Sequence, residues 1–417
     1  MSRTFRSAML LVSLAFAVSA CGQHSTAPTG AGAVSTSPVV SDRPAPTQAK
    51  PGTVDSSFGT SGTVKTAGYG KVIGVTAQGR IMLASVPASG GSPAPVVIRA
   101  LNARGQLDRS FGSQGEVRLP AAEAAYLYAD GRYLLVRRAA AGEGSASIEF
   151  TRVRADGKVD AAFGDAGTAR VTVASSDPRL GPVVAEANGG VSFAVGGTIV
   201  RLTASGQRDA SFGQDGEVRL VFPADASNSP DATSGEPFTS VSKLARRPDG
   251  SYAVYAVHNP YGQTRESEYE YRDYLVLLSP AGEETDREGP TLTGRYVQAI
   301  GLDVWSDGSV VTSSAAFIGS ATLRAVNAAG TERYRVTPGG FPSFVRALAG
   351  GKALLVQIGS TGEGNGLMRR FLADGALDAV FGSEGSVSVP FAVLDVFVTP
   401  DGRLLVSGDG VLMQYHN

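Results

Sequence analysis

One motif, Asp-x-x-Phe-Gly-x-x-Gly, returns along this 417-residue chain at a spacing of about 50 residues, and no other feature restricts the fold so tightly. Its clear copies are TVDSSFGTSGTV (Asp55, Phe58), LDRSFGSQGEV (Asp108, Phe111), VDAAFGDAGTA (Asp160, Phe163), RDASFGQDGEV (Asp209, Phe212) and LDAVFGSEGSV (Asp378, Phe381). Two eroded copies lie between the last two. One keeps Asp286 without the Phe, and the other keeps only Gly330 and the glycines after it.

A second element runs in phase with the motif: an apolar run, a short turn, another apolar run. It reads VIGVTAQGRIMLAS, AYLYADGRYLLV, PVVAEANGGVSFAV, KLARRPDGSYAVYAV, LDVWSDGSVVTSS, VRALAGGKALLVQI and VFVTPDGRLLVSG. Asp-Gly, Asn-Gly or Gly-Gly between apolar stretches is the strongest short-range hairpin signal, because the turn demands positive φ. A third apolar run follows each hairpin, as in TIVRLTASG and LMRRFLADG, and ends in a turn glycine before the next motif. No helical period competes with this pattern. Four short strands per unit, seven times, predict an all-β, seven-bladed β-propeller over residues 52–417. The repeat region opens on a motif and one strand, GTVKT, and ends on a hairpin and third strand, VLMQYHN. The N-terminal strand is therefore expected to close the last blade and remove the open seam.

The motif copies resemble the delta-60 repeat of bacterial secreted proteins, whose core is G-x-L-D-x-x-F-G-x-x-G, and more loosely NHL-like propellers. The resemblance implies a propeller and brings no catalytic residues with it.

Each residue type in the motif has a structural use. Asp after a strand accepts backbone N–H groups two or three residues on, Phe folds under that turn, and the glycines supply positive φ. A calcium loop would need several oxygen ligands at fixed spacing. Only one carboxylate per copy is dependable, since the variable positions hold Asp165, Asp215 and Glu384 but also Gln114 and Ser61. The motif is read as architecture. The basic residues Lys65, Arg118, Arg170 and Arg219 recur on the fourth strand and are read as edge-strand charges that oppose aggregation. Arg99, Arg152, Arg201, Arg324 and Arg370 on the third strand are read as framework contacts.

The rest of the chain bears on location. Residues 1–20 read as an export signal, with Arg3 and Arg6 ahead of AMLLVSLAFAV. Val18-Ser19-Ala20-Cys21 resembles the bacterial lipobox, which implies acylation of Cys21, the chain's one cysteine. Residues 21–51 are rich in Ser, Thr, Pro, Ala and Gly and read as a flexible tether. Together these place the propeller outside the cytoplasm at a bacterial cell envelope, membrane-bound through lipid. Charge is balanced, 37 Lys+Arg against 38 Asp+Glu, which gives no electrostatic case for nucleic acid.

Function is sought where the copies differ. On the first strand of each hairpin, Tyr126, Lys243, Asp303, Arg346 and Asp395 interrupt an apolar pattern and are expected to line the central channel. The fourth unit carries the insertion HNPYGQTRESEYEYRDY, whose Tyr261, Arg265, Tyr269, Tyr271, Arg272 and Tyr274 are the residue types favoured at recognition surfaces. His24, His258 and His416 are scattered, and no catalytic triad, metal spacing, phosphate loop or cofactor motif is visible. The expected function is a lipid-anchored binding or scaffold module for an envelope protein or glycan, without a cofactor or metal. The alternative is a carbohydrate-active or lactone-type hydrolase or lyase that uses channel carboxylates such as Asp303 and Asp395.

Overall fold

In the computed structural model the described residues are 49–66, 68–86, 94–139, 142, 144–175, 179–222, 238–260, 271–294, 297–316, 321–358 and 365–417. Residues 1–20, read above as an export signal, Cys21 and nearly all of the segment read as a tether lie outside them.

The strands form seven antiparallel sheets, six of them built on a meander in chain order and the seventh completed by the N-terminal strand. The N-terminal strand is β1 (Thr63–Lys65). Blade 1 is β2 (Lys71–Val75), β3 (Ile81–Ser85), β4 (Ala94–Leu101) and β5 (Glu116–Ala122). Blade 2 is β6 (Ala124–Leu127), β7 (Tyr133–Ala139), β8 (Ser145–Val153) and β9 (Thr168–Ala174). Blade 3 is β10 (Leu180–Ala185), β11 (Val191–Val195), β12 (Thr198–Leu202) and β13 (Glu217–Arg219). Blade 4 is β14 (Phe238–Arg246), β15 (Tyr252–Asn259), β16 (Tyr271–Leu278) and β17 (Glu284–Glu288), with β18 (Thr293–Gly294) added beside β16. Blade 5 is β19 (Gln298–Val304), β20 (Val310–Ala315), β21 (Ala321–Val326) and β22 (Glu332–Val336). Blade 6 is β23 (Pro342–Ala347), β24 (Ala353–Ile358), β25 (Gly366–Phe371) and β26 (Ser386–Val389). Blade 7 is β27 (Asp395–Val398), β28 (Leu404–Gly408) and β29 (Val411–Tyr415), and β1 supplies its fourth strand.

The ring closes as the sequence leads one to expect. β1 pairs with β29 in the register Thr63↔Met413, Val64↔Leu412 and Lys65↔Val411, and Val54 bridges Tyr415. The seam thus has no unpaired edge to recruit another chain.

The first strands of the blades form the inner ring: β10, β14, β19 and β23 lie side by side, and β2 touches β6 and β27. Each joint between blades has its own apolar cluster. Ile98 and Met82 of blade 1 meet Leu135 of blade 2, Phe150 of blade 2 meets Phe193 of blade 3, and Phe58 of blade 7 meets Ile81 of blade 1. Both faces of a blade are therefore dry, which is why strands such as Val191–Val195 are buried at every position instead of alternating.

Candidate functional site

The repeated motif is the joint between blades. Asp209 Oδ1 accepts the Ser211 amide at 3.1 Å and its hydroxyl at 2.6 Å, while Oδ2 accepts Arg201 Nε at 2.8 Å. Arg201 lies over the buried Phe212 ring, 4.6 Å from its centroid, and reaches the carbonyl of Pro280 in blade 4 at 2.5 Å. The Gly213 amide donates to the neighbouring carbonyl, Ala281, at 2.7 Å. A β-carbon at Gly213 would stand 2.0 Å from the Glu217 oxygen, so the position admits no other residue without a shift. The same arrangement recurs with Asp160, Arg152 and Phe163 and with Asp378, Arg370 and Phe381, the ring–guanidinium distance being 4.6 Å each time. At Asp55, next to the buried Phe58, Arg403 supplies the guanidinium at 2.8 Å.

The variable residue before the last motif glycine has a single backbone conformation in all five clear copies. Ser61, Gln114, Ala166, Asp215 and Glu384 all have φ between 46° and 56°. The acids there stand at a left-handed turn position that tolerates several residue types, not at a ligand position.

Parity on the inner strands does not select the channel. Tyr126 is 7 % exposed and packs with Val183 of blade 3, where burial pushes its phenol up to about 12. Asp303 accepts the Ala347 amide of blade 6 at 2.8 Å. Arg346 donates to the Val396 carbonyl at 2.9 Å and to the carboxylate of Asp395, both in blade 7. Lys243 is half-buried beside a register break in β14. These residues are the ones expected in the channel, and Tyr126, Asp303, Arg346 and Asp395 pack against or bond to a neighbouring blade. The reason is physical: alternate positions on an inner strand face the two neighbouring blades, and both faces are covered.

Of the insertion residues, Tyr261, Arg265 and Tyr269 lie outside the described residues. Tyr271, Arg272 and Tyr274 sit on β16. Tyr271 packs partly buried against the apolar cluster shared with blade 5. Tyr274 packs against Phe222, with ring centroids 4.6 Å apart, and Phe222 also stacks on His258 at 4.9 Å and carries Arg287 at 4.3 Å. This aromatic stack gives blade 4 a lateral feature that no other blade shares among the described residues. The edge residues Lys65, Arg118, Arg170 and Arg219 are on fourth strands, with the Arg118 side chain 82 % exposed.

Two buried acids were not singled out by the sequence. Glu186 is fully buried and accepts Ser192 Oγ and Tyr252 OH, both at 2.5 Å, and Arg246 from blade 4. Asp273 is fully buried, accepting the Leu292 amide at 2.6 Å and the Tyr255 hydroxyl. Burial and the facing Asp273 carboxylate push the Tyr255 phenol well up. The only sequence signal for either was an acid within an otherwise apolar strand or hairpin. Among the described residues no group of three or more His, Cys, Asp or Glu side chains is placed to hold a metal ion.

One joint departs from the others. Counting back five residues from the turn glycine gives Arg152 (from Gly157), Arg201 (from Gly206) and Arg370 (from Gly375), but Ala100 (from Gly105) in blade 1, and Leu277 (from Gly282) and Ala325 (from Gly330) in blades 4 and 5, where Arg247 and Arg333 reach the next blade instead. Arg99, grouped with the framework arginines by sequence, is one residue out of register. It faces the other way, pairing with Glu116 at 2.8 Å and stacking on Tyr69 at 5.1 Å. Arg324 is out of register in the same sense and pairs with Glu332 at 2.8 Å. In blade 1, Asp108 is held by Arg80 instead, at 2.8 Å. A cavity of about 220 Å³ remains between blades 1 and 2, lined among others by Arg80, Met82, Phe111, Gly131, Tyr133 and Ala155. The glycine bond to the next blade is missing there too. Gly59, Gly164, Gly213 and Gly382 donate across their joints to Arg104, Ser205, Ala281 and Pro51, whereas among the described residues Gly112 has no such bond. Native-state hydrogen exchange is expected to find the Gly112 amide exchanging at least about tenfold faster than those four, which corresponds to the loss of about 1.4 kcal/mol of protection. Equal protection at all five would show the joint to be as closed as the rest.

No protein-family model matches the chain, and no curated protein matches it. Among solved structures, it is similar to a protein of unknown function from Dyadobacter fermentans, at 12 % identity and a TM-score of 0.36, over 70 % of this chain and 96 % of that one. It is also similar to an ulvan lyase of polysaccharide lyase family 25, at 9 % identity and a TM-score of 0.46, over 85 % of this chain and 95 % of that one. At such scores the propeller rests on this chain's own seven sheets, and nothing of the lyase's chemistry is carried over.

Proposed function

We propose that the chain is a lipid-anchored, extracytoplasmic propeller that acts as a binding or scaffold module for a protein or glycan partner, in preference to a hydrolase or lyase. The observation that carries this reading is the engagement of its buried acids by the frame itself. Asp303 accepts a backbone amide of the next blade, Asp395 faces Arg346, Glu186 holds two hydroxyls and Arg246, and Asp273 holds a hydroxyl and an amide. A general acid–base pair needs carboxyl groups that open onto a substrate, and carboxylates tied into joints do not serve. The N-terminal lipobox-like sequence supports the anchor, with Cys21 as the acylated residue. The part that breaks the repeat is blade 4, with its added strand and aromatic stack, and in sequence the insertion between β15 and β16.

The test is a pull-down from detergent-solubilised envelope, comparing wild type with a chain in which residues 261–270 are replaced by a short Gly/Ser linker. The deletion must stop there. Asn259 and Asp273 are fully buried, and removing Asp273 would leave the Tyr255 hydroxyl without its acceptor. Loss of one or more partners from the shortened chain is the expected result. An identical partner list would remove blade 4 as the recognition surface.

A further inference from the structure

The cavity between blades 1 and 2 is the empty berth of an arginine. At four other joints a guanidinium from one blade enters the corresponding place and donates to the backbone carbonyl two residues before the next blade's turn glycine. The pairs are Arg152 to Ala204 at 2.6 Å, Arg201 to Pro280 at 2.5 Å, Arg247 to Ala328 at 2.5 Å and Arg333 to Ala373 at 3.2 Å. Two of these also bond the carbonyl of the hairpin-turn glycine, Arg152 to Gly189 at 3.0 Å and Arg247 to Gly308 at 2.9 Å. The equivalents in blade 2 are Ala155 and Gly131, and both line the cavity. No protein donor reaches either carbonyl among the described residues. The residue that would have carried the guanidinium is Ala100, wholly buried beside Met82, Phe111 and Tyr133, which are also lining residues.

Arg80 does not fill the berth. Its counterpart one blade on is Arg132, which coexists with Arg152 around Asp160 at 3.7 and 2.8 Å. Asp160 therefore takes two guanidinium groups, whereas Asp108 takes one, Arg80, through Nε and Nη2, with the Ser110 amide and hydroxyl, as Asp209 takes Arg201 with Ser211. Phe111 shows the gap: Arg80 lies 5.6 Å from its centroid, where Arg152, Arg201 and Arg370 lie 4.6 Å from theirs. What remains is an aromatic face and two carbonyl acceptors, beside the Asp108 carboxylate that Arg80 and Ser110 hold. The mouth is open to solvent, since Gln78, Ala129 and Asp130 at its rim are exposed.

We propose that this berth binds a guanidinium group from outside the fold, carried either by a small molecule or by an arginine side chain of a partner. The chemistry is that of the sibling joints: planar donors to carbonyl oxygens and a carboxylate, and a cation over an aromatic ring. The cavity of about 220 Å³ exceeds the roughly 150 Å³ that admits a benzene-sized guest, so a guanidinium on a short alkyl stem fits. The site is independent of the blade 4 surface and stands or falls without it.

The experiment is saturation-transfer NMR on the detergent-solubilised full chain with ethylguanidinium chloride, against ethylurea as the neutral isostere, at constant ionic strength. Saturable binding of ethylguanidinium in the millimolar range is expected, with affinity for ethylurea lower by about tenfold or more. Ala100→Arg fills the berth from within, and Ala100→Met fills it without donors. Each is expected to weaken ethylguanidinium binding at least about tenfold, and Ala100→Met decides should Ala100→Arg not fold. No saturable binding in wild type, equal binding of ethylurea, or undiminished binding in the folded variants overturns the proposal. A capped Ala-Arg-Ala peptide distinguishes the sources: binding equal to ethylguanidinium points to a partner's arginine, and exclusion points to a free small molecule.

Discussion

A chain that begins at Gly68 is expected to melt on the order of 10 °C or more below the full chain, or to fail to fold at all. The segment it lacks does more than add one short strand. Phe58 is wholly buried in the joint between blades 7 and 1, packed with Ile81, Leu83 and Leu405, and loss of such a ring costs about 3–5 kcal/mol. Asp55 is the buried countercharge of Arg403 at 2.8 Å, and an arginine 6 % exposed that keeps only Asp401 is worse off by about 3 kcal/mol. Together these approach the roughly 5–15 kcal/mol that holds a typical domain folded. The edge of β29 is also bared, so aggregation accompanies the loss. Circular-dichroism melts with light scattering measure both. Adding a synthetic peptide of residues 49–66 is expected to restore part of the lost melting temperature. A truncated chain that melts within a few degrees of the full one would show that the ring does not depend on this closure.

The fold was legible because turn chemistry and repetition agree. Asp-Gly and Gly-Gly hairpins fix where each blade turns, and the motif fixes where each blade meets the next. The turn at Asp209 and its equivalents was legible too, since an acid just after a strand accepts backbone N–H groups a few residues on and is a turn before it is a site. What could not be read was direction. Arg99 and Ala100 are adjacent, and adjacent strand residues face opposite sides, so a one-residue slip exchanged a framework position for an outward one. The turn glycine carried the needed register, five residues on from the framework position. The direction of Asp303, Arg346 and Asp395 was not legible for a related reason. Alternation separates core from solvent only when one face of a sheet is wet, and a propeller blade has a neighbour on each side.

Asp378→Asn is expected to cost about 3–5 kcal/mol, because it leaves Arg370, 2 % exposed, without a countercharge inside the joint of blades 6 and 7. Lys352 at 2.9 Å loses the same partner. Asp409→Asn, on the exposed turn between β28 and β29, is the control and is expected to leave stability nearly unchanged. The pH dependence gives the comparison a second reading. Burial pushes the Asp378 carboxyl up, but the hydrogen bond from Lys352 and the charge of Arg370 outweigh it and hold the group below its ordinary value. A carboxyl depressed in the folded state contributes stability that is complete above its unfolded value of about 4 and is lost as pH falls below that, through the folded value. Asparagine cannot titrate, so the variant lacks this part of the acid decline. Denaturant melts from pH 7 down to the lowest pH at which both chains fold are therefore expected to show a constant gap above about pH 5, narrowing below about pH 4. A gap that held constant through the acid range would mean that the Asp378 carboxyl titrates in the folded joint as it does in the unfolded chain, and that the guanidinium there is held chiefly by the Phe381 ring at 4.6 Å and Asn417 at 3.0 Å.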